Sequence, residues 1–318
     1  MSSSSISSTL KPTKPVSVFD DGDYHTVLLT LEPGKLDADN IRPPTPLLIG
    51  TPSEGGEYPV LLLLHGYLLY NNFYTQLIQH IASHGFIVIA PQLYTIAGPD
   101  TTNEILTTAK IIKWLQIGLK KVLPSSVHPQ THKLAISGHS RGGKVAFALA
   151  LEKTTTSPLK ISALIGIDPV DGMDKGKQTP PAVLTYVPRS FDLADIPTLV
   201  IGSGLGEMKR NPFFPACAPK GVNHENFYDE CQDRAWYFVV KDHGHLDMLD
   251  DVTTGIRGRS TYCLAKNGES RAPMRRFVGG VIVAFLKACL HGCDSQLLGI
   301  KDGGEGVPVS FSKVDVRS

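Results

Sequence analysis

K-L-A-I-S-G-H-S-R-G-G-K-V-A-F-A-L-A-L-E-K, residues 133–153, decides the fold. A short apolar strand, Leu134–Ile136, runs into Gly138-His139-Ser140-Arg141-Gly142, and an apolar helix, Val145–Leu151, follows at once. G-x-S-x-G between a strand and a helix is the context of a nucleophile elbow. A strand that turns directly into a helix crowds the residues two before and two after the apex. Gly138 and Gly142 are therefore the elbow glycines, because a Cβ there would clash. The apex, Ser140, is expected in a strained conformation with its side chain presented outward. The rival reading is a chance pentapeptide in an ordinary turn, which the flanking strand and helix disfavour.

The rest of the chain alternates in the same way. Val27–Leu31 and Pro46–Gly50 read as an antiparallel hairpin, and Thr51–Tyr58 as a turn. Val60–Leu64 is continuously apolar, as a strand buried on both faces would be. Phe73, Leu77, Ile78 and Ile81 have helical spacing and stop at Gly85. Phe86–Ala90 is the next strand. Thr101-x-x-Glu104 reads as a capping box that opens a helix, and Leu123–His132 as the loop before the elbow strand. Ile161–Ile167, Pro197–Gly202 and Trp236–Val240 are the later strands. Two long excursions, to Asp195 and from Ser203 to Arg234, separate them. A closing helix starts near Pro273, and Val307–Val314 could add an edge strand. This alternation predicts an α/β fold with a mostly parallel central sheet, helices on both faces and the excursions lying over one rim. Sites in such sheets form at the carboxyl ends of the strands. The boundaries read as a disordered or transit-like segment over 1–20, one α/β domain over 21–298 and a tail over 299–318.

Composition removes several function classes. The net charge of +1 gives no reason to invoke nucleic acid. Five cysteines, an odd number without C-x-x-C, signal neither a disulfide framework nor a zinc site. Cys289 and Cys293, four apart on a helix, read as free buried thiols. The apolar run Phe277–Leu290 is broken by Gly279, Gly280 and Lys287 and is too short to span a bilayer. Residues 1–15 are rich in Ser and lack both acids and the apolar core of a secretory signal. They read as a tail, or as a plastid transit-like segment that lacks arginine.

A serine hydroxyl needs a base, and the base a carboxylate that orients it. In this architecture the chain order is Ser, acid, His. His245, after Gly244 and the last clear strand, is preferred over His243, which reads as a solvated loop histidine. His224 lies in an excursion and His291 ends a helix. Asp168 is the preferred acid, held between an apolar strand and Pro169, which restricts the residue before it. Asp171, beside Gly172 and expected to be solvated, and Glu207, after the following strand, stay open as alternatives. Asp242, Asp247 and Asp250 read as helix starts or surface charges. The oxyanion needs two donors, the Arg141 N–H and one from the loop after Leu64, for which Tyr67 is chosen. His65 and His139 read as packing and hydrogen-bonding neighbours. Leu68, Leu69, Tyr70, Phe73, Tyr74, Leu93, Tyr94, Phe213 and Phe214 are expected to form an apolar substrate rim.

With these residues in view, the run from about Val60 to Leu290 resembles plant chlorophyllase, a member of the α/β-hydrolase superfamily. The resemblance rests on H-G-Y-L-L-Y-N-N-F-Y (65–74), A-P-Q-L-Y (90–94), G-H-S-R-G-G-K (138–144), I-G-I-D-P-V-D-G (165–172), N-P-F-F-P-A-C-A-P (211–219) and G-H-L-D-M-L-D-D (244–251). It implies an α/β-hydrolase fold and hydrolysis of the phytyl ester of chlorophyll to chlorophyllide and phytol. It also implies Ser140, Asp168 and His245 as the triad, a chloroplast location and peripheral contact with pigment-bearing membranes. The cytoplasm or an endomembrane surface is the alternative location. No cofactor or metal is required, because the triad activates its own nucleophile, and any magnesium arrives inside the substrate. A general carboxylesterase, lipase or polyester hydrolase would use the same machinery. A non-catalytic member of the fold that binds an apolar ligand is the remaining reading.

Overall fold

Val60–Leu64 has no polar residue to turn toward water, so both of its faces must be covered. In the computed structural model, which describes residues 17–34, 42–193, 195–304 and 306–318, all five residues are buried at the end of strand β3, Gly56–Leu64. Before it come β1 (Thr26–Leu31) and β2 (Leu47–Pro52). After it, a 3₁₀ turn (Asn71–Tyr74) leads into α1 (Thr75–Ser83), β4 (Ile87–Pro91), α2 (Thr102–Leu115), α3 (Leu119–Val122) and β5 (Val127–His139). Then follow α4 (Arg141–Ala150), β6 (Ile161–Ile167), β7 (Thr198–Ser203), α5 (His224–Glu230) and β8 (Ala235–Val240). The chain closes with α6 (Gly255–Ser260), α7 (Ala272–His291), α8 (Ser295–Lys301) and β9 (Phe311–Arg317).

The nine strands form one sheet in the order β1-β2-β4-β3-β5-β6-β7-β8-β9. The pairs from β4 to β8 are parallel, while β1/β2, β2/β4 and β8/β9 are antiparallel. Alternation along β3 divides the interior in two. Val60, Leu62 and Leu64 pack with residues of α2–α5, whereas Leu61 and Leu63 pack with α1, α7 and α8. Burying apolar side chains at ~25 cal/mol per Å² holds both helix layers on the sheet. This is the open, mostly parallel sheet of an α/β-hydrolase fold, with every parallel strand ending on the same rim.

Several local expectations are corrected. The segment before the elbow strand is not a loop. Residues 127–130 already pair with 56–59 of β3, and their polar, partly exposed character hides the strand. Thr101 and Glu104 do not form a capping box. The Thr101 hydroxyl donates to the Pro180 carbonyl, and Glu104 is taken by Arg141. The edge strand expected over 307–314 forms beside β8 as β9, with its bounds shifted to 311–317, so the segment read as a tail ends in the sheet. At the other end, Val18 and Phe19 are buried, and Phe19 stacks on Phe277 of α7 at 6.4 Å, so packed structure begins before residue 21. Residues 1–16, which include the Ser-rich stretch 1–15 read as transit-like, lie outside the described residues. All five cysteines are free, but Cys289 is half-buried and Cys293 exposed, not buried as expected.

Candidate active site

The elbow forms for a local steric reason. Ser140 has φ 55° and ψ −119°, a conformation that L-residues avoid. A Cβ on Gly138 would collide with the Gly142 backbone, and one on Gly142 with the carbonyls of Leu64 and His65. The chain can turn from β5 into α4 at Ser140 only because both positions are glycine. The first-turn amides of α4 have no helical acceptor, so the positive end of the helix faces the site. Ser140 is 8% exposed, and its hydroxyl makes no hydrogen bond among the described residues.

His245 and Asp168 meet at the carboxyl ends of β8 and β6. His245 Nδ1 donates to Asp168 Oδ2 at 2.7 Å, with the carboxylate fully buried and the imidazole 4% exposed. A carboxylate on Nδ1 keeps the proton there and leaves Nε2 as the basic nitrogen. Burial alone would raise the Asp168 pKa. The His245 charge and hydrogen bond, His224 and the Ser203 hydroxyl outweigh it and hold the pKa at about 2. Asp168 is held by more than the proline that follows it. Its φ is +46°, and its N–H is bonded to the Ile201 carbonyl at 2.6 Å. Ser203, at the end of β7, donates its hydroxyl to the same Oδ2.

The other candidates are engaged elsewhere. Asp171 is fully buried, against the expectation of a solvated group. It pairs with Lys144 at 2.9 Å and accepts the N–H groups of Val183 and Leu184, which anchors the first excursion. Glu207 is exposed and accepts from Asn223 at 2.8 Å. His243 is half-buried and does not touch Asp168; its Nδ1 is buried without a partner among the described residues. His224 comes nearer than its sequence position suggested. Its Nε2 lies 3.8 Å from Asp168 Oδ1, and Tyr237 holds its Nδ1. Asp250 does serve a helix start, accepting the first amides of α1, and buried Asp247, through Gly244 and Gly268, braces the loop that carries His245.

Facing the elbow is the loop after β3. His65 Nδ1 donates to the Gly66 carbonyl, while its Nε2 accepts the Leu93 N–H at 3.1 Å. Burial pushes the His65 pKa down to about 4, so the ring stays neutral in this clamp. The N–H groups of Tyr67 and Arg141 donate to no acceptor among the described residues. The Arg141 guanidinium lies over the Tyr67 ring, 5.7 Å from its centroid. It bonds Glu104 Oε1 through Nε at 2.9 Å and Nη2 at 2.5 Å, and it holds the carbonyls of Pro99 and Asp100.

Ser140 opens into a cavity of about 340 Å³ lined by Tyr67, Arg141, Val170, Met173 and Cys217, among others. Both excursions contribute to this wall. The expected rim is only partly exposed. Leu69, Phe73 and Tyr74 are buried, because apolar aromatic side chains beside a 3₁₀ turn fill the core under α1. Tyr70, Leu93 and Tyr94 are half-buried, and Leu68 and Phe214 are exposed. Phe213 is 91% exposed, just before the segment Ala216–Pro219 that borders the cavity. Val170, Met173 and Cys217 were missed, although the first two directly follow Asp168 in the segment D-P-V-D-G-M. Ser203 and His224 gave no local signal, since only the sheet order brings them to Asp168.

The sequence is similar to known proteins over nearly its whole length. The chain is 61% identical to Chlorophyllase-2 of Arabidopsis thaliana over 309 residues, 94% of this chain and 97% of that protein. It is 44% identical to Chlorophyllase-1 of the same plant over 303 residues, 94% of this chain and 91% of that protein. Against a Citrus unshiu protein named Chlorophyllase-1, chloroplastic, identity is 41% over 310 residues, 96% of this chain and 90% of that protein. The family model for chlorophyllase matches residues 14–318, and the chain belongs to the chlorophyllase family.

Proposed function

We propose that this enzyme hydrolyses the phytyl ester of chlorophyll, with Ser140 as nucleophile, His245 as general base and Asp168 as the carboxylate that orients it. The observation that carries this reading is the buried 2.7 Å bond from His245 Nδ1 to Asp168, on the same strand rim as the strained Ser140 apex. His245 Nε2 takes the Ser140 proton as the oxygen attacks the ester carbonyl. The tetrahedral oxyanion is held by the free N–H groups of Tyr67 and Arg141. Collapse breaks the bond to the phytyl oxygen, which leaves as phytol with the proton from His245. Water, deprotonated by the same imidazole, then attacks the acyl carbonyl; the bond to Ser140 Oγ breaks, the serine takes the proton back from His245, and chlorophyllide leaves.

The cavity beside Ser140 takes one arm of a large ester, and exposed Leu68, Phe213 and Phe214, in the segments that carry the lining residues Tyr67 and Ala216, offer apolar surface to the remainder. No helix among the described residues is long and apolar enough to cross a membrane. Exposed Leu68, Phe213 and Phe214 support contact with a pigment-bearing membrane from its surface, and the Citrus relative's name supports a chloroplast location. A fluorophosphonate probe tests the serine chemistry, and Ser140 is the residue expected to carry the adduct. Faster turnover of chlorophyll than of a short p-nitrophenyl ester at equal concentration is expected. The reverse preference would point to a general carboxylesterase.

A further inference from the structure

Tyr74 and His139 are buried polar groups linked to the elbow and the base loop that the mechanism above does not use. Tyr74 is 1% exposed and His139 0%. His139 Nε2 lies 2.9 Å from the His245 carbonyl oxygen, and its Nδ1 lies 2.7 Å from the Tyr74 hydroxyl. The same hydroxyl lies 3.1 Å from the Gly66 nitrogen. Proton counting fixes every direction. A carbonyl oxygen only accepts, so His139 Nε2 carries the proton and donates to it. Nδ1 of that neutral ring is then an acceptor, and the Tyr74 O–H donates to it. The Tyr74 oxygen in turn accepts the Gly66 N–H. Burial, reinforced by nearby His245, pushes the His139 pKa well below the ordinary histidine range, which keeps one donor and one acceptor on the ring.

The chain Gly66 N–H, Tyr74, His139, His245 carbonyl therefore crosses three strand ends. It starts beside Tyr67 in the loop after β3, passes through the residue before Ser140, and ends on the backbone of the base after β8. The His139 ring also lies against the His245 ring, with centroids 4.6 Å apart and planes at 43°. We propose that Tyr74 and His139 are positioning residues, a buried relay of hydrogen bonds that sets the base loop and the oxyanion loop at fixed distances from Ser140. The inference rests on the triad reading above. It goes beyond that reading by assigning work to two residues that act through the His245 carbonyl and the Gly66 N–H and transfer no proton in the reaction. Misplacing a base by about 1 Å can cost on the order of a hundredfold in rate, so such a relay acts on kcat with little effect on ground-state binding.

The test compares Tyr74→Phe, His139→Gln and His139→Leu by steady-state kinetics on a p-nitrophenyl ester, with thermal melts alongside. Tyr74→Phe removes one oxygen and is expected to lower kcat about tenfold at unchanged KM. His139→Leu should lower kcat by about a hundredfold. His139→Gln keeps an amide N–H that can reach the His245 carbonyl, and it should restore kcat to within about tenfold of the natural enzyme. Wild-type kcat in Tyr74→Phe would overturn the proposal, as would a His139→Gln variant no better than His139→Leu. If His139→Leu does not fold, Tyr74→Phe decides alone. Fluorophosphonate labelling of Ser140 in the unaltered enzyme separates the two levels. Its failure sinks the triad reading, whereas normal labelling with an unaffected Tyr74→Phe sinks only the relay.

Discussion

Asp168 Oδ2 accepts two donors at once, His245 Nδ1 at 2.7 Å and the Ser203 hydroxyl, although the residues come from the ends of three different strands. The second donor fixes which way the carboxylate faces, so the imidazole meets an acceptor that cannot rotate away. Asp168→Asn presents an amide in that place and disturbs the tautomer of His245. We expect kcat to fall by up to about 10⁴, the scale set by the equivalent change in the trypsin family. Glu207→Gln, whose carboxylate is exposed, should cost about tenfold or less. Steady-state kinetics on both variants checks this, and an inactive Glu207→Gln beside an active Asp168→Asn would move the acid to the later strand.

Asp168 also leaves a signature in stability against pH. Its pKa in the folded chain is about 2, below the usual carboxylate value of 3.8. A depressed folded pKa contributes stability above the unfolded pKa, and that contribution is lost as pH falls toward the folded value. It amounts to about 2 kcal/mol, disappearing progressively between about pH 5 and pH 2. Denaturant titrations across this range should show the natural enzyme losing more stability than Asp168→Asn. Parallel curves would contradict the assignment.

Asp171 was a rival for the acid, and the fold gives it a different consequence. Asp171→Asn leaves the Lys144 ammonium buried without its carboxylate. Breaking a buried pair in this way costs about 3 kcal/mol. The expected outcome is a marked drop in the denaturation midpoint, with kcat of the folded fraction reduced about tenfold or less. An unchanged midpoint would show that the pair does not anchor the first excursion.

Glu104 and Arg141 make a second buried pair, at 2.5 Å, with side chains 5% and 9% exposed. Glu104→Gln should destabilise the chain by about 3 kcal/mol, read by denaturant unfolding. It should also loosen the Pro99–Asp100 wall that Arg141 holds, raising KM more than it lowers kcat. A change in kcat alone would contradict that account.

What was legible in the sequence was local. The elbow could be read because strand, G-x-S-x-G and helix lie in one stretch and the Gly138 clash with the Gly142 backbone falls within it, and the parallel strands because burial on both faces leaves no polar alternation. His245 and Asp168 could be read as strand-end residues, since chain order follows from topology. What failed depends on contacts distant in sequence. The burial of Asp171 is set by Lys144 and by the backbone of residues 183 and 184, and none of these is visible from Gly172 alone. Phe73 and Tyr74 look the same in sequence whether they face a substrate or a core, and only the packing of α1 on the sheet decides. Glu104 has the spacing of a capping box, yet a guanidinium 37 residues away in the chain claims its carboxylate.

The central claim is that Ser140 is the nucleophile of a chlorophyll ester hydrolase. It is tested most directly by measuring chlorophyllide release from chlorophyll by purified Ser140→Ala, with circular dichroism recorded on the same sample. The side chain of Ser140 makes no hydrogen bond among the described residues, so the variant is expected to fold. The account predicts a folded protein with no chlorophyllide formed above the substrate blank. Chlorophyllide release by the folded variant at the natural rate would contradict it.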